Sequence, residues 1–442
     1  MNKLFFLFLS LPMLVLAQHS VKGSFTPAKD FKFVILYKVT PTSSEYISNV
    51  SVNEAGDFEF QLDSTHNAGM YRLVYALPQE ENNFDIIYNA REDIEFNYNT
   101  ETGIDFVNSI ENKLITSYTT SMGVVSNSIG NFFRQESTDT LALHNIFVTQ
   151  KQTQQEFEKA AEGTIALNFI KANRPYIPEE FQDIKTYVQN LRTHFFNAVD
   201  FDNEILQSSN FLIERTLNYV FGMASKGETE IEIYKTNIDD VVMAMASAKD
   251  TVKLTLLKIV WQQMADTNIE EVANYIADTY ILDLATTLGD AALVEELNLY
   301  KNTSIGAIAP DFDFELELNG KKQTTKLSRY NEAERYLLVF WSSSCGHCLK
   351  AMPELYSYIE SKDQKHIKAI LVGLEDEPFK WRNETFNYPN FIHVLGLGKW
   401  NNSIGKAYNV KATPFYYILD KDKKIIAKPY DLEALKTFLD GK

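Results

Sequence analysis

The stretch Leu338-Val339-Phe340-Trp341-Ser342-Ser343-Ser344-Cys345-Gly346-His347-Cys348 decides how the last third of the chain is read. Residues Arg335 to Trp341 read as a hydrophobic strand, and a helix is expected to open near Cys345 and run to about Ser361. At the first turn of a helix the unsatisfied N–H groups and the positive end of the macrodipole favour a thiolate over a thiol. Two intervening residues let the second thiol reach back to the first. Cys345 can then attack a disulfide as nucleophile, and Cys348 can resolve the mixed disulfide that results. An imidazole at His347 beside the thiolate would stabilise it further and make the disulfide a better oxidant. The plainer reading of His347 is a solvent-facing side chain.

Other uses of the motif fit less well. Covalent haem attachment needs a histidine directly after the second cysteine, where Leu349 stands. A structural zinc site needs four ligands, and His366 and His393 are too scattered to supply the rest. A structural disulfide this short closes a tiny loop and stabilises little. The chain has 2 cysteines, both in this motif, so neither can staple distant parts of a fold. The expectation is redox work with no metal and no cofactor other than the Cys345–Cys348 disulfide itself.

Around the motif, strand and helix signals alternate. Ile367 to Leu374 reads as a strand, Phe379 to Phe386 as helical, Phe391 to Leu395 as strand-like, and Trp400 to Tyr408 as helical. Phe415 to Leu419 and Lys424 to Ala427 flank the turn Asp420-Lys421-Asp422-Lys423. Asp431 is placed to cap a closing helix to Leu439. This order predicts an α/β domain over 303–442, a mixed sheet with helices on both faces.

The rest of the chain differs in texture. Short β-type runs from about Ser20 to Asn99, such as Phe58-Glu59-Phe60-Gln61-Leu62, predict a small antiparallel β-sandwich over 18–100. From about Gly103 to Tyr300 the periodicity becomes helical, giving an all-α region over 101–302. Leu254, Leu257, Trp261 and Met264 form one of its apolar stripes. At the start, Lys3 precedes an apolar run from Leu4 to Leu16, and Val15-Leu16-Ala17 fits a signal-peptidase site, so 1–17 reads as a signal peptide cleaved before Gln18. That run is too short to span a bilayer, and no cysteine follows Ala17 to take a lipid. The expected location is the periplasm or cell envelope, without a membrane span. The net charge of −17 lies almost wholly in the first two thirds: residues 1–302 carry 22 Lys+Arg against 41 Asp+Glu, residues 303–442 carry 20 against 18. Such a surface repels phosphates, which argues against nucleic acid as a partner.

Gly306 to Lys442 resembles the thioredoxin superfamily, and within it the exported TlpA/ResA-like branch. Gly306-Ala307-Ile308-Ala309-Pro310-Asp311-Phe312 is similar to that branch's opening. Trp341 matches an aromatic four residues before the first cysteine, and Pro353 matches a helix-kinking proline five after the second. Thr413-Pro414 is similar to the family's cis-proline loop, which the resemblance implies lies against the cysteines and offers the Thr413 backbone to a substrate chain. Three positions depart from the pattern. Val339 stands where cytosolic thioredoxins bury an aspartate, Ser344 where a tryptophan is usual, and Ala351 where ResA-like proteins often have a glutamate. The proton acceptor for Cys348 is thereby left open. Glu375, at the end of the next strand, could be brought near the redox site, although Glu375-Asp376-Glu377 reads first as an acidic surface loop. The sandwich and helices resemble, in layout, extensions fused ahead of TlpA-like domains.

The resemblance implies a thiol–disulfide oxidoreductase acting on protein thiols or disulfides, a reductant fed by a membrane electron donor. The Cys-Gly-His-Cys sequence resembles that of protein disulfide isomerase and leans toward oxidation or isomerisation. The alternative is an envelope protein whose residues 20–302 bind a partner or ligand and whose redox domain only senses state.

Overall fold

The structure is a computed structural model describing residues 19–41, 43–223, 229–318, 321–363 and 366–441. The signal peptide expected over 1–17 lies outside the described residues. The chain divides into two compact units, one ending at Val260 and the other beginning at Trp261.

The first unit opens with eight strands: β1 (His19–Thr26), β2 (Phe33–Val39), β3 (Ser44–Ser51), β4 (Asp57–Leu62), β5 (Gly69–Val74), β6 (Asn83–Tyr88), β7 (Ile94–Asn99) and β8 (Gly103–Asn108). They form two four-stranded sheets, ordered β4-β1-β7-β8 and β3-β2-β5-β6. Period-two alternation puts Phe58, Phe60 and Leu62 of β4 inside and Asp57, Glu59 and Gln61 outside. Val21, Phe25, Phe60 and Phe96 of one sheet share a core with Val34, Leu36, Leu73 and Ile86 of the other. This is the expected sandwich, with two differences. β1 and β7 run parallel, with Val21 opposite Ile94 and Thr26 opposite Asn99. The two strands are far apart in sequence and the chain visits the second sheet between them, a crossover that frees the pairing from hairpin geometry. β8 also lies where helical periodicity was expected to begin. Only Phe106 of that strand is buried, so the alternation that would announce it is nearly absent.

Helices follow: α1 (Ile110–Arg134), α2 (Thr140–Ala160), α3 (Ala166–Ala172), α4 (Ile184–Thr193), α5 (Glu204–Gln207), α6 (Phe211–Gly222), α7 (Glu230–Ala244) and α8 (Asp250–Asp266), which crosses the unit boundary. Two adjacent polar residues seat α1. The buried Asn112 amide accepts from the Ile87 N–H at 2.9 Å and donates to the Ile87 carbonyl at 2.8 Å, meeting the edge strand β6 as another strand would. The buried Glu111 carboxylate accepts from the N–H groups of Ile165 and Ala166, at 3.2 and 2.8 Å, at the start of α3. A second tie is a bidentate pair from Arg72 on β5 to Asp85 on β6, at 2.7 and 2.9 Å. Arg72 also reaches the Asn210 side chain ahead of α6 at 2.7 Å.

The second unit holds α9 (Glu270–Ile276), a π-helical turn (Ala277–Ile281), α10 (Leu282–Leu288) and α11 (Ala291–Asn302) as well as the C-terminal sheet. Glu270 joins these helices to that sheet. Its buried carboxylate pairs with Lys428 and accepts from the Ile305 N–H at 2.6 Å. A hairpin, β9 (Asp313–Leu318) and β10 (Lys321–Lys326), precedes the main sheet. That sheet contains β11 (Arg335–Trp341), β12 (Ile367–Glu375), β13 (Ile392–Leu397), β14 (Phe415–Asp420) and β15 (Ile425–Ala427), ordered β13-β12-β11-β14-β15. β11, β12 and β13 are parallel, β14 pairs antiparallel with β11 and β15 antiparallel with β14, so the sheet is mixed. The remaining helices are α12 (Gly346–Glu360), α13 (Pro378–Thr385), α14 (Ser403–Ala407) and α15 (Leu432–Leu439), the last capped by Asp431. Side chains alternate across β11: Leu337, Val339 and Trp341 pack toward α12 and α15, while Tyr336, Leu338 and Phe340 pack with Phe314, Ile404 and Tyr408 on the opposite face. Both faces are covered, which is why the strand reads as an unbroken apolar run.

Replacing Asn112 by leucine leaves the N–H and C=O of Ile87 buried without partners. Equilibrium unfolding in urea should show the first unit destabilised by on the order of 2–4 kcal/mol, and Asn112→Asp, which keeps the acceptor, should cost less.

Candidate active site

The site lies where β11 stops. The strand is apolar through Trp341, which is fully buried in the cluster that also holds Cys348. Polar sequence resumes at Ser342, and the chain turns into α12. Cys345 occupies the N-cap position of that helix, and its sulfur accepts from the Cys348 N–H at 3.3 Å. An N-cap acceptor is ordinarily a serine, threonine or aspartate oxygen. Here a thiol takes that place, so the helix start itself solvates negative charge on sulfur.

The two thiols are free and differ sharply. Cys345 is half-buried and Cys348 is fully buried. Burial alone would push the Cys345 thiol up. The S–H and N–H of Cys348, the Thr413 side chain and the His347 N–H more than offset it, and the thiol is held below its ordinary value. Burial pushes the Cys348 thiol the other way, to about 12, and its hydrogen bond to Cys345 adds to the rise. One sulfur is disposed to be a thiolate and the other to keep its proton.

The other residues singled out in the sequence fall into place around this pair. His347 is exposed, and its backbone N–H is the part of it that bears on Cys345. The Thr413-Pro414 peptide is cis, and the Thr413 carbonyl lies 3.4 Å from the Cys345 sulfur. Pro353 sits inside α12, which continues to Glu360. His366 bonds the Glu334 carboxylate and His393 the Tyr388 carbonyl, so neither is directed at the cysteines.

Glu375 is the correction. It is not part of an acidic surface loop: it is 4 % exposed at the end of β12, the strand paired with β11. Its carboxylate accepts from the Ser343 N–H, from the Ser343 hydroxyl at 3.0 Å and from the Ser342 hydroxyl at 3.3 Å. Ser342 in turn accepts at its carbonyl from the Cys345 N–H at 3.1 Å, and its hydroxyl meets that of Ser344 at 2.9 Å. The loop that delivers Cys345 is thus held from below by one buried carboxylate. The sequence reading missed Ser342 and Ser343. Its available signal was a carboxylate directly after the wholly apolar Ile370-Leu371-Val372-Gly373-Leu374, at the same end of the sheet as the serines. Gly373, opposite Trp341 in the register, makes room for the Trp381 side chain: a Cβ there would lie 2.1 Å from the indole nitrogen.

Two measurements probe this arrangement. The pH profile of Cys345 alkylation by iodoacetamide should have its midpoint below the ordinary thiol value of about 8.5, and Cys348 should stay unreactive there. In Cys348→Ala the S–H donor is lost, so the midpoint should move up. In Glu375→Leu the Ser343 N–H and the serine hydroxyls lose their acceptor, and the second unit should be destabilised by roughly 2–4 kcal/mol in thermal unfolding.

Comparison with known proteins places this domain. Residues 305–434 match the Redoxin family. None of the curated proteins matches the chain. Among solved structures, the thioredoxin domain of a thiol-disulfide oxidoreductase from Bacteroides vulgatus is 20% identical over 31% of this chain and 96% of its own, with a TM-score of 0.27. A domain of a possible thiol-disulfide isomerase from Cytophaga hutchinsonii is 29% identical over 31% of this chain and 91% of its own, with a TM-score of 0.26. A thioredoxin-like protein from Bacteroides caccae is 18% identical over 60% of this chain and 96% of its own, with a TM-score of 0.32. With its Redoxin match over residues 305–434, its mixed sheet and two thiols at the head of α12, the C-terminal region of this chain is a Redoxin domain of thioredoxin-like fold.

Proposed function

We propose that this chain is an exported thiol–disulfide oxidoreductase of the TlpA/ResA-like kind that reduces disulfides in client proteins. The observation that carries the proposal is the asymmetry of the two thiols, one lowered and half-exposed, the other raised and buried. The Cys345 thiolate attacks one sulfur of a client disulfide, and the other client sulfur leaves as a thiolate. Cys345 is now bonded to the client. Cys348 attacks the Cys345 sulfur, its proton passing to the departing client sulfur, which leaves as a thiol, and the Cys345–Cys348 disulfide remains. Two electrons have passed to the client, and a dithiol donor associated with the membrane returns them. The half-buried Thr413-Pro414 peptide beside Cys345 orients the client strand. Ser342, Ser343 and Glu375 hold the nucleophile in place, and no other cofactor takes part.

Export rests on the basic, apolar and small-residue pattern of 1–17. Among the described residues no helix is long and apolar enough to cross a membrane, which fits electrons arriving from a separate membrane protein. The high value of Cys348 suits a resolving thiol, because a protonated second sulfur does not compete for the client in the first attack.

Cys348→Ala should accumulate mixed disulfides through Cys345 when expressed in its own cell envelope, visible as adducts that collapse on treatment with dithiothreitol. Absence of adducts in the envelope fraction would falsify the exchange reaction. Equilibration with glutathione should place the couple near the thioredoxin end of the scale, ~−270 mV; a value near ~−120 to ~−180 mV would instead mark an oxidant or isomerase.

A further inference from the structure

A second site stands out far from the cysteines in sequence, among the helices of the first unit. Arg215, on α6, is a half-buried guanidinium with no carboxylate partner among the described residues. Its Nη2 donates to the Phe195 carbonyl at 2.6 Å, and its plane lies over the Phe195 ring at 3.7 Å. Its Nε is buried and donates to nothing. Burial pulls the guanidinium below its ordinary value, and the attraction of the Tyr118 hydroxyl only partly opposes it. A cation removed from water ordinarily needs an opposite charge, and an unpaired one carries most of its desolvation cost. In a chain with a net charge of −17, a guanidinium with no carboxylate bond among the described residues is the more unexpected.

Arg215 lines an open cavity of about 280 Å³ between α1, the segment after α3 and the end of α4. None of the lining residues is an aspartate or glutamate. The other cation there, Arg174, is already neutralised by a pair of bonds to Glu158, at 2.7 and 2.8 Å. One uncompensated positive charge therefore remains. The walls are largely apolar and aromatic, with Met122, Leu191, Phe195 and Tyr176. Tyr176 stacks on the His194 ring at 4.6 Å. His194 Nδ1 faces the Asn190 carbonyl at 2.8 Å, and since a carbonyl can only accept, that nitrogen carries a proton. Gly123 on α1 completes the lining, and a Cβ built on it meets nothing within 4 Å.

We propose that this cavity binds a small organic carboxylate with a flat apolar body, its carboxylate on Arg215 and its body against Phe195, Tyr176 and Leu191. A single unpaired guanidinium matches one negative charge, which favours a carboxylate over a doubly charged phosphate. The space suits about one aromatic ring with its acid group. Bidentate Arg–carboxylate pairing in a partly desolvated pocket is a strong charge-assisted contact. A free aromatic acid and the C-terminal carboxylate of a peptide present the same chemistry.

Isothermal titration of the full chain with benzoate tests the proposal, with hippurate, benzyl alcohol and inorganic phosphate as the other arms. Benzoate or hippurate should bind, and whichever is tighter identifies a free acid or a peptide terminus as the source. Arg215→Met should weaken that binding by at least about tenfold. Gly123→Leu, which fills the cavity but keeps Arg215, should abolish it and gives the answer even if Arg215→Met does not fold. The proposal is overturned by no heat from either acid up to millimolar concentration, by equal affinity in Arg215→Met or Gly123→Leu, by benzyl alcohol binding as well as benzoate, or by phosphate binding more tightly than both acids.

Discussion

Both faces of β11 are covered, and that one constraint organises the C-terminal region. A strand packed on two sides has no position along its length where a charge or a reactive sulfur can sit without losing its water. Chemistry is possible only where the strand ends, and β11 ends at Trp341. From there the chain needs a polar turn, a helix start and a cover for the turn's own backbone groups. Ser342 to Ser344 provide the turn and α12 the helix start. The buried thiol of Cys348 belongs to the packed face of that helix, and the half-exposed thiol of Cys345 to its tip. The difference between the two sulfurs follows from a helix being apolar along one side and electropositive at one end.

Glu375 extends the same logic to the neighbouring strand. β12 is as fully buried as β11 and ends at the same side of the sheet. A carboxylate at such a strand end is tolerable only if several donors converge on it, and the Ser342–Ser343 turn supplies three. The dependence is mutual, since the turn's N–H and hydroxyl groups also need an acceptor. Position and chemistry are coupled here without Glu375 touching either sulfur. The first unit shows a parallel case, where Glu111 and Asn112 act as backbone surrogates, one for a helix start and one for a strand edge.

Much of this could be read from residue order. The apolar run, the Cys-Gly-His-Cys spacing and the capping aspartate at 431 each express a local rule, and local rules survive translation into structure. The elements that were not legible depend on partners distant in sequence. Gly103 to Asn108 becomes a strand because β7 offers an edge, with Phe106 as its one buried side chain. The parallel pairing of β1 with β7 has no sequence signature, because parallel and antiparallel neighbours bury the same alternating residues. In the β9–β10 hairpin, β9 alternates apolar and acidic residues, but its partner Lys321–Lys326 contains no apolar residue to announce a strand. Glu375 was read from its acidic neighbours Asp376 and Glu377 when the decisive neighbours were serines more than thirty residues earlier. The tie between Glu270 and Lys428 is equally silent, since either residue alone reads as an ordinary surface charge.

The presence of 2 cysteines, both at the head of one helix, has a further consequence for biogenesis. Neither the sandwich nor helices α1 to α11 contain a thiol, so their cores assemble from side-chain packing alone. With one pair of cysteines, the chain cannot scramble its own bridges. The single bridge it can form is the Cys345–Cys348 couple itself, so the redox poise around the chain decides whether that pair leaves folding as a dithiol or a disulfide.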